Sequence, residues 1–317
     1  MALAQAELDE RRRAVSLGVK ARYADAVTEQ RKLAVIDRLL GINRDYLRLT
    51  EARVQKGDAA PLEADLLRVE LNRDEAQRML TNGRLRAALL QLKATLDITA
   101  TSPLLIAANL TQPSFDDDLQ RLKTLALTSR PDARALRITE DQTVAQSALA
   151  KVETKRNLTL LGQYSHADTA FDQYGLTGAG ALTPIRDHID SIGIGVSIPL
   201  TTARRNRGNI EAAAARRTGA RLRREYLEAV IPTQVEAAYE HWRAAREATA
   251  MFSQGVIAQS ERNLTVMRQA YTLAELRLID ILNEQRRLLE TELSYIDAQG
   301  DLFRAYAELE QATGGSL

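Results

Sequence analysis

The chain of 317 residues carries 43 Lys and Arg against 42 Asp and Glu, and no cysteine. That near-neutral balance leaves no electrostatic footprint for nucleic acid, and the lack of thiols excludes a disulfide frame, a thiolate nucleophile and a Cys-based metal site. Aromatic residues make up only 4%, and glycine and proline crowd into a few places, a composition suited to long helices packed through small and aliphatic side chains.

No stretch of about 18 apolar residues occurs, so no transmembrane helix is expected. The opening segment, MALAQAELDERRRAVSLG, lacks the apolar core of a signal peptide and reads as the middle of a charged helix. One helical pattern runs from about Ala4 to Gln55, with Leu33, Ile36, Leu40, Leu47 and Val54 at heptad-like spacing and Asn43 and Thr50 filling the remaining seam positions. Gly57 ends that helix and Pro61 opens the next. The second helix is expected to about Leu96, with Leu62, Leu66, Val69, Leu80, Ala87 and Leu90 on its seam. Two long helices joined at Gly57 make an antiparallel hairpin over residues 1–97. Residues 98–130 read as a linker and a short helix capped by Ser114, with Asp116, Asp117 and Asp118 in its first turn. Pro131 then opens another helix.

Residues 157–200 break the helical character. In 190-DSIGIGVSIPL-200 the even positions Ile192, Ile194, Val196, Ile198 and Leu200 are apolar, and the odd ones, Ser191, Gly193, Gly195 and Ser197, are small or polar. A period of two over roughly ten residues matches a strand crossing an outer membrane within a barrel. The run 157-NLTLLGQYSH-166 repeats the pattern more weakly, and a polar, Gly-rich loop is expected between the two. An isolated hairpin is marginally stable, so other strands, such as those of further copies of the chain, must complete it. From residue 203 a helical pattern resumes to about Thr272, with Pro232 as a possible kink. Ala274 marks a second turn, and a last helix spans about Leu276 to Ala312.

The halves repeat each other. From Tyr23 to Gly57 is 34 residues and from Tyr239 to Ala274 is 35, while Leu71, Leu85, Ala88 and Leu92 match Leu288, Leu302, Ala305 and Leu309 at an offset of 217. Internal duplication follows, with the second repeat covering residues 131–317.

Four segments resemble the TolC-type outer-membrane efflux family: 129-SRPDARAL-136, 158-LTLLGQYS-165, 196-VSIPLTTARRNRGNIEAA-213 and 271-YTLAELRLIDILNEQ-285. The resemblance implies a trimer that forms a β-barrel in the outer membrane, continued into the periplasm by a coiled-coil helical tunnel. It implies a passive duct whose inner end docks a periplasmic adaptor protein and, through it, an inner-membrane pump. The chain departs from the family in lacking a signal peptide, a lipid-bearing cysteine and the first β hairpin. Three copies would supply half the strands the family uses, so a truncated chain is expected. Ala274 also replaces the family's second tip glycine.

Under the resemblance, Asp280 and Glu63, equivalent at the offset of 217, are candidates to narrow the tunnel, with Arg277 as a partner of Asp280. The bland reading places both acids in helix first turns, where they favour the dipole. The turns at Lys56, Gly57, Asp58 and Ala59, and at Ala274, Glu275 and Leu276, are the expected docking tips. Arg204, Arg205 and Arg207 follow the strand at the expected periplasmic interface. His166 and His188 are expected to flank the loop between strands, and with Asp168, Asp172, Asp187 and Asp190 they match no ligand spacing, so no metal site is expected. Gly178 and Gly180 lack the strand-to-helix context of a nucleotide fingerprint, and no nucleophile–base pair occurs. The chain thus reads as a non-enzymatic duct subunit, mainly α, with one transmembrane-type hairpin and no cofactor. The alternative is a soluble helical-hairpin scaffold or a periplasmic adaptor without a channel.

Overall fold

A computed structural model describes residues 1–111, 115, 118–152, 158–198, 203–272 and 276–315, with backbone alone at 203–206, 254 and 272. Its elements in chain order are α1 (Ala2–Lys56), α2 (Pro61–Thr95), α3 (Leu119–Ser129), α4 (Pro131–Val152), β1 (Thr159–Leu176), β2 (Leu182–Ser197), α5 (Ala203–Met251), α6 (Ile257–Thr272) and α7 (Leu278–Thr313). They form two units, one of residues 1–138 with 224–317, the other of residues 139–223.

In the first unit α1 lies between α2 and α7. Gly57, at φ 79°, stops α1. Its N–H donates to the Val54 carbonyl at 3.0 Å and that of Asp58 to the Arg53 carbonyl at 2.8 Å. This double closure needs a left-handed residue, which glycine adopts without steric cost. Ala60 is extended and Pro61 takes the first helical position of α2, where its missing N–H has no partner to lose.

The α1 seam follows the expected heptads, with Ile36, Leu40, Asn43 and Thr50 buried. The α2 seam does not. Ala64, Leu67, Leu71, Asp74, Thr81, Ala88 and Leu92 are buried, whereas Leu62, Val69, Leu80 and Leu90 are exposed, as is Ala87. Of the expected set only Leu66 touches the core. The large aliphatic side chains form the outer stripe, while the inner one uses small and polar residues. Asn43 Nδ2 donates to Asp74 Oδ2 at 2.8 Å within that seam, the kind of buried polar pair that fixes register between coiled helices.

Helix α7 runs antiparallel to α1. Arg304 reaches Asp25 at 2.7 Å and Lys32 reaches Asp297 at 2.5 Å, and Lys20 contacts Glu310. At Gly300 the two helices leave no room for a side chain, since a Cβ built there would stand 2.4 Å from Thr28 Oγ1. The largest apolar cluster gathers Leu122 and Ala126 of α3, Ala133 of α4, Ile231, Val235 and Trp242 of α5, and Ala305, Tyr306 and Leu309 of α7. The linker is strapped to α1 by Tyr23, whose hydroxyl donates to the Asn109 carbonyl at 2.9 Å.

Two further expectations need correction. Asp118, not Ser114, caps α3, accepting from the Gln120 N–H at 2.9 Å; Ser114, Asp116 and Asp117 lie outside the described residues. The helix from residue 203 continues through Pro232 but does not run unbroken to Thr272, because a π-helical stretch, Phe252–Val256, interrupts it.

The second unit holds the end of α4, the hairpin and the start of α5. Strands β1 and β2 pair antiparallel from Thr159↔Ser197 to Ala170↔Arg186, and resume at Tyr174↔Pro184 after an irregularity. The strands therefore extend through most of the segment expected to be loop, leaving a turn at residues 177–181. Gly180 there has φ 83°, and Thr177 N–H donates to the Ala181 carbonyl at 2.9 Å. Backbone pairing overrides the low strand propensity of this polar stretch, because each residue added to a ladder satisfies further N–H and C=O groups.

Candidate functional site

Near its open end the hairpin presents one mainly aliphatic face and one face rich in glycine and polar side chains. Residues two apart share a face, and the register sets Leu160 against Val196, Gly162 against Ile194 and Tyr164 against Ile192. These side chains are bare: Leu160 is 70%, Ile192 80% and Ile194 85% exposed. Ile198, one residue past β2, continues the row, and Leu200 lies outside the described residues. The other face carries Thr159, Leu161, Gln163 and Ser165 with Gly193, Gly195 and Ser197, so that Leu161 is its one large aliphatic over these rungs, and Ser165 and Ser191 share a hydrogen bond of 2.6 Å across it. A contiguous row of exposed aliphatics on an unsupported hairpin marks a face made for an apolar surrounding.

The helical tips form the second region. Lys56, Gly57 and Asp58 are exposed and Ala59 is half-buried; Leu276 is half-buried, and Ala274 and Glu275 lie outside the described residues. Helices α2 and α7 start at Pro61 and Leu278, the duplication offset of 217 apart. Glu63 and Asp280 therefore occupy the same third helical position. Asp280 accepts from the Arg277 backbone N–H at 3.2 Å and lies 3.6 Å from its Nε, so it supplies the third-position half of a capping box. Glu63 instead accepts from the Tyr271 hydroxyl at 3.0 Å. Arg53 Nη1 donates to the same hydroxyl at 3.4 Å, and Nη2 to the Asp58 carbonyl at 3.3 Å. Burial, then the hydrogen bond to Glu63, pushes the Tyr271 phenol up, so it remains a donor at neutral pH. Tyr271 thus ties the second tip to the first. It stood in a quoted segment, but its partner is 208 residues away and no local pattern announces it.

A third region is the SRPDARAL segment. Arg130 is buried and grips Asp132 through Nε at 3.0 Å and Nη2 at 2.6 Å. Its Nη1 donates to Gln234 Oε1 at 2.7 Å, and Ser129 Oγ donates to the Thr313 carbonyl at 2.6 Å. Burial alone would raise the Asp132 carboxyl. The Arg130 hydrogen bonds and charge, with the charge of Arg13, outweigh it and hold the group below the usual aspartate range.

His166 and His188 sit within the paired strands rather than at loop edges, opposite Asp190 and Asp168 on rungs two apart that share one face. Asp187 pairs opposite Thr169 on the other face, and Asp172 falls in the irregular stretch. Arg207 is exposed and bonds Glu211 at 3.0 Å; the Arg204 and Arg205 side chains lie outside the description. Among the described residues no helix is long and apolar enough to cross a membrane.

The model of the family described as outer membrane efflux protein matches residues 122–315. The chain belongs to the outer membrane efflux protein family. A relative, the outer membrane efflux protein BepC of Brucella suis biovar 1, is 27% identical over 124 residues, which are 39% of this chain and 27% of that protein. The aligned part thus spans about a quarter of the curated relative it matches. Among solved structures the chain is similar to the outer membrane protein VceC from Vibrio cholerae (TM-score 0.75, 18% identity), with 99% of this chain and 73% of that one covered. It is similar also to the outer-membrane channel OprN (0.76, 17%; 99% and 69% covered). The Campylobacter jejuni CmeC outer membrane channel gives 0.76 at 15% identity, with 99% and 65% covered. At such identities the likeness to these structures is one of fold.

Proposed function

We propose that this chain is a subunit of an outer-membrane efflux duct: a passive, non-enzymatic conduit for solutes driven by an inner-membrane pump. The observation that carries the reading is the bare row Leu160, Tyr164, Ile192, Ile194, Val196 and Ile198, backed on the opposite face by glycine and polar side chains with Leu161 as the one large aliphatic among them. Lipid outside and water inside is the environment such a hairpin fits. Family membership supports it.

Two strands cannot close a barrel, so the hairpin pairs edge to edge with further strands, in the homotrimer that the family resemblance implies. The outer stripe of α2, with Leu62, Val69, Leu80 and Leu90 exposed, is the surface that neighbouring copies cover. The tips at residues 56–59 and 274–276 dock a periplasmic adaptor. Rings of Asp280 and Glu63 line the inner constriction, with Arg277 beside Asp280 and Tyr271 holding the tips together. No cofactor and no nucleic acid take part.

Arginine substitution tests the assignment. A basic residue on the lipid face near mid-membrane costs about 2–4 kcal/mol. Ile194→Arg and Val196→Arg are therefore expected to deplete the chain from the outer-membrane fraction, and Gly195→Arg, facing water, to be milder. Equal yields of all three variants in that fraction would favour a soluble helical scaffold and sink the duct.

A further inference from the structure

Toward its turn, the hairpin face that carries Tyr164 and Ile192 changes chemistry. The next rungs are His166↔Asp190 and Asp168↔His188, so two imidazoles and two carboxylates stand together on one face. His188 Nδ1 contacts Asp168 Oδ1 directly, and His166 Nε2 is 3.8 Å from Asp168 Oδ2. The two rings are nearly parallel, 12° apart, with centroids at 6.4 Å. One ligand atom from each of His166, Asp168 and His188 lies within 4.8 Å of the other two. Around an ion that holds its ligands at about 2.0–2.2 Å, neighbouring donors stand roughly 3–4 Å apart, so small side-chain rotations suffice.

The fourth residue makes the arrangement more than a surface ion pair. Asp190 takes the Nδ1 side of His166 at 2.6 Å, and Tyr164 donates to Asp190 Oδ1 at 2.8 Å. That chain of contacts holds His166 with Nε2 turned toward Asp168 and His188. A carboxylate on the far nitrogen of a ligating histidine is the usual support of a metal site, fixing tautomer and ring.

We propose that His166, Asp168 and His188 bind a divalent transition-metal ion, with Asp190 as the positioning residue for His166. Two imidazoles and one carboxylate select Zn²⁺, Co²⁺, Ni²⁺ or Cu²⁺ over the hard cations Ca²⁺ and Mg²⁺, which demand oxygen donors throughout. The ion takes the place of the proton between His188 Nδ1 and Asp168, and that proton moves to Nε2, so the ligating imidazole stays neutral. With ligands from both strands, it clips the register just before the irregularity between Ala170 and Tyr174. All four residues belong to one chain, so the site stands or falls separately from the trimeric duct.

The test is titration of the full chain in detergent with Co²⁺, followed by its visible absorption bands and displaced by Zn²⁺. One Co²⁺ per chain is expected, unaffected by excess Mg²⁺. His166→Ala and His188→Ala should each weaken binding at least about tenfold, and Asp190→Asn about tenfold. Asp187→Asn, on the opposite face, should leave it unchanged. A second measurement needs no variant. Of the three histidines, Zn²⁺ should protect His166 and His188 from diethyl pyrocarbonate and leave His241, which contacts Glu308, reactive. The site is refuted if the parent chain takes up no Co²⁺, if both histidine variants bind like the parent, if Asp187→Asn loses as much, or if Zn²⁺ protects none or all three histidines.

Discussion

Gly300 and Asp132 show what single residues carry in this molecule. A methyl group added at Gly300 meets Thr28 Oγ1 at 2.4 Å, in a seam where Thr28 is itself buried. Gly300→Ala is expected to cost about 1–3 kcal/mol through overpacking. In a Thr28→Ala background, where the clashing atom is gone, most of that cost should vanish and the better helix propensity of alanine should show. A double-mutant cycle by chemical denaturation reads this directly. At Asp132 the depressed carboxyl ties stability to pH. A group whose folded pKa lies below its unfolded value stabilises fully above the unfolded value of about 3.9. That stability is lost as the pH falls through the lower folded value. Asp132→Asn should thus lower stability by about 1.5–3 kcal/mol at neutral pH, and melting curves of parent and variant should converge in acid below the ordinary aspartate range. The sequence marked the Arg-Pro-Asp segment as a recognisable signature, but the Gln234 and Thr313 contacts that hold it arise only from tertiary packing.

At the scale of elements, strong local signals read well and partner-dependent ones did not. Gly57 and Pro61 carry their conformations in their own covalent structure, so the α1–α2 turn was visible at once. The buried face of α2 was not. Its inner row mixes Ala64, Asp74, Thr81 and Ala88 with leucines, and counting large aliphatics picks the outer stripe instead. The hairpin was legible from its period of two, but its length was not, since the polar rungs from His166 to Arg186 are held by ladder hydrogen bonds rather than by apolar burial. For the same reason sequence spacing hid the pairing of His188 with Asp168, which depends on register. The Tyr271–Glu63 bond is an element-scale device, joining the end of α6 to the start of α2. Tyr271→Phe deletes one donor and keeps the ring, so it should loosen the tips by about 1 kcal/mol. The expected outcome is faster hydrogen exchange over residues 50–64 and 268–282 with global melting little changed; unaltered exchange there would show that the tips are held elsewhere.

At the scale of the whole molecule, the helical unit buries an apolar core of its own, and the described hairpin residues are almost all exposed. Helices bury their seams within one chain, whereas both hairpin faces and the outer stripe of α2 are left uncovered. In the proposed duct, further copies and lipid cover those surfaces. The most direct measurement uses the absence of cysteine. Single cysteines are placed by Ile192→Cys, Gly193→Cys, Ile194→Cys, Gly195→Cys, Val196→Cys and Ser197→Cys, and a Cβ at Gly193 or Gly195 meets only ordinary contacts. Intact outer-membrane vesicles are then exposed to a water-soluble maleimide. The duct predicts alternation, with positions 193, 195 and 197 labelled and positions 192, 194 and 196 protected until the membrane is denatured. Uniform labelling along the strand, or a chain missing from the membrane fraction, would contradict it.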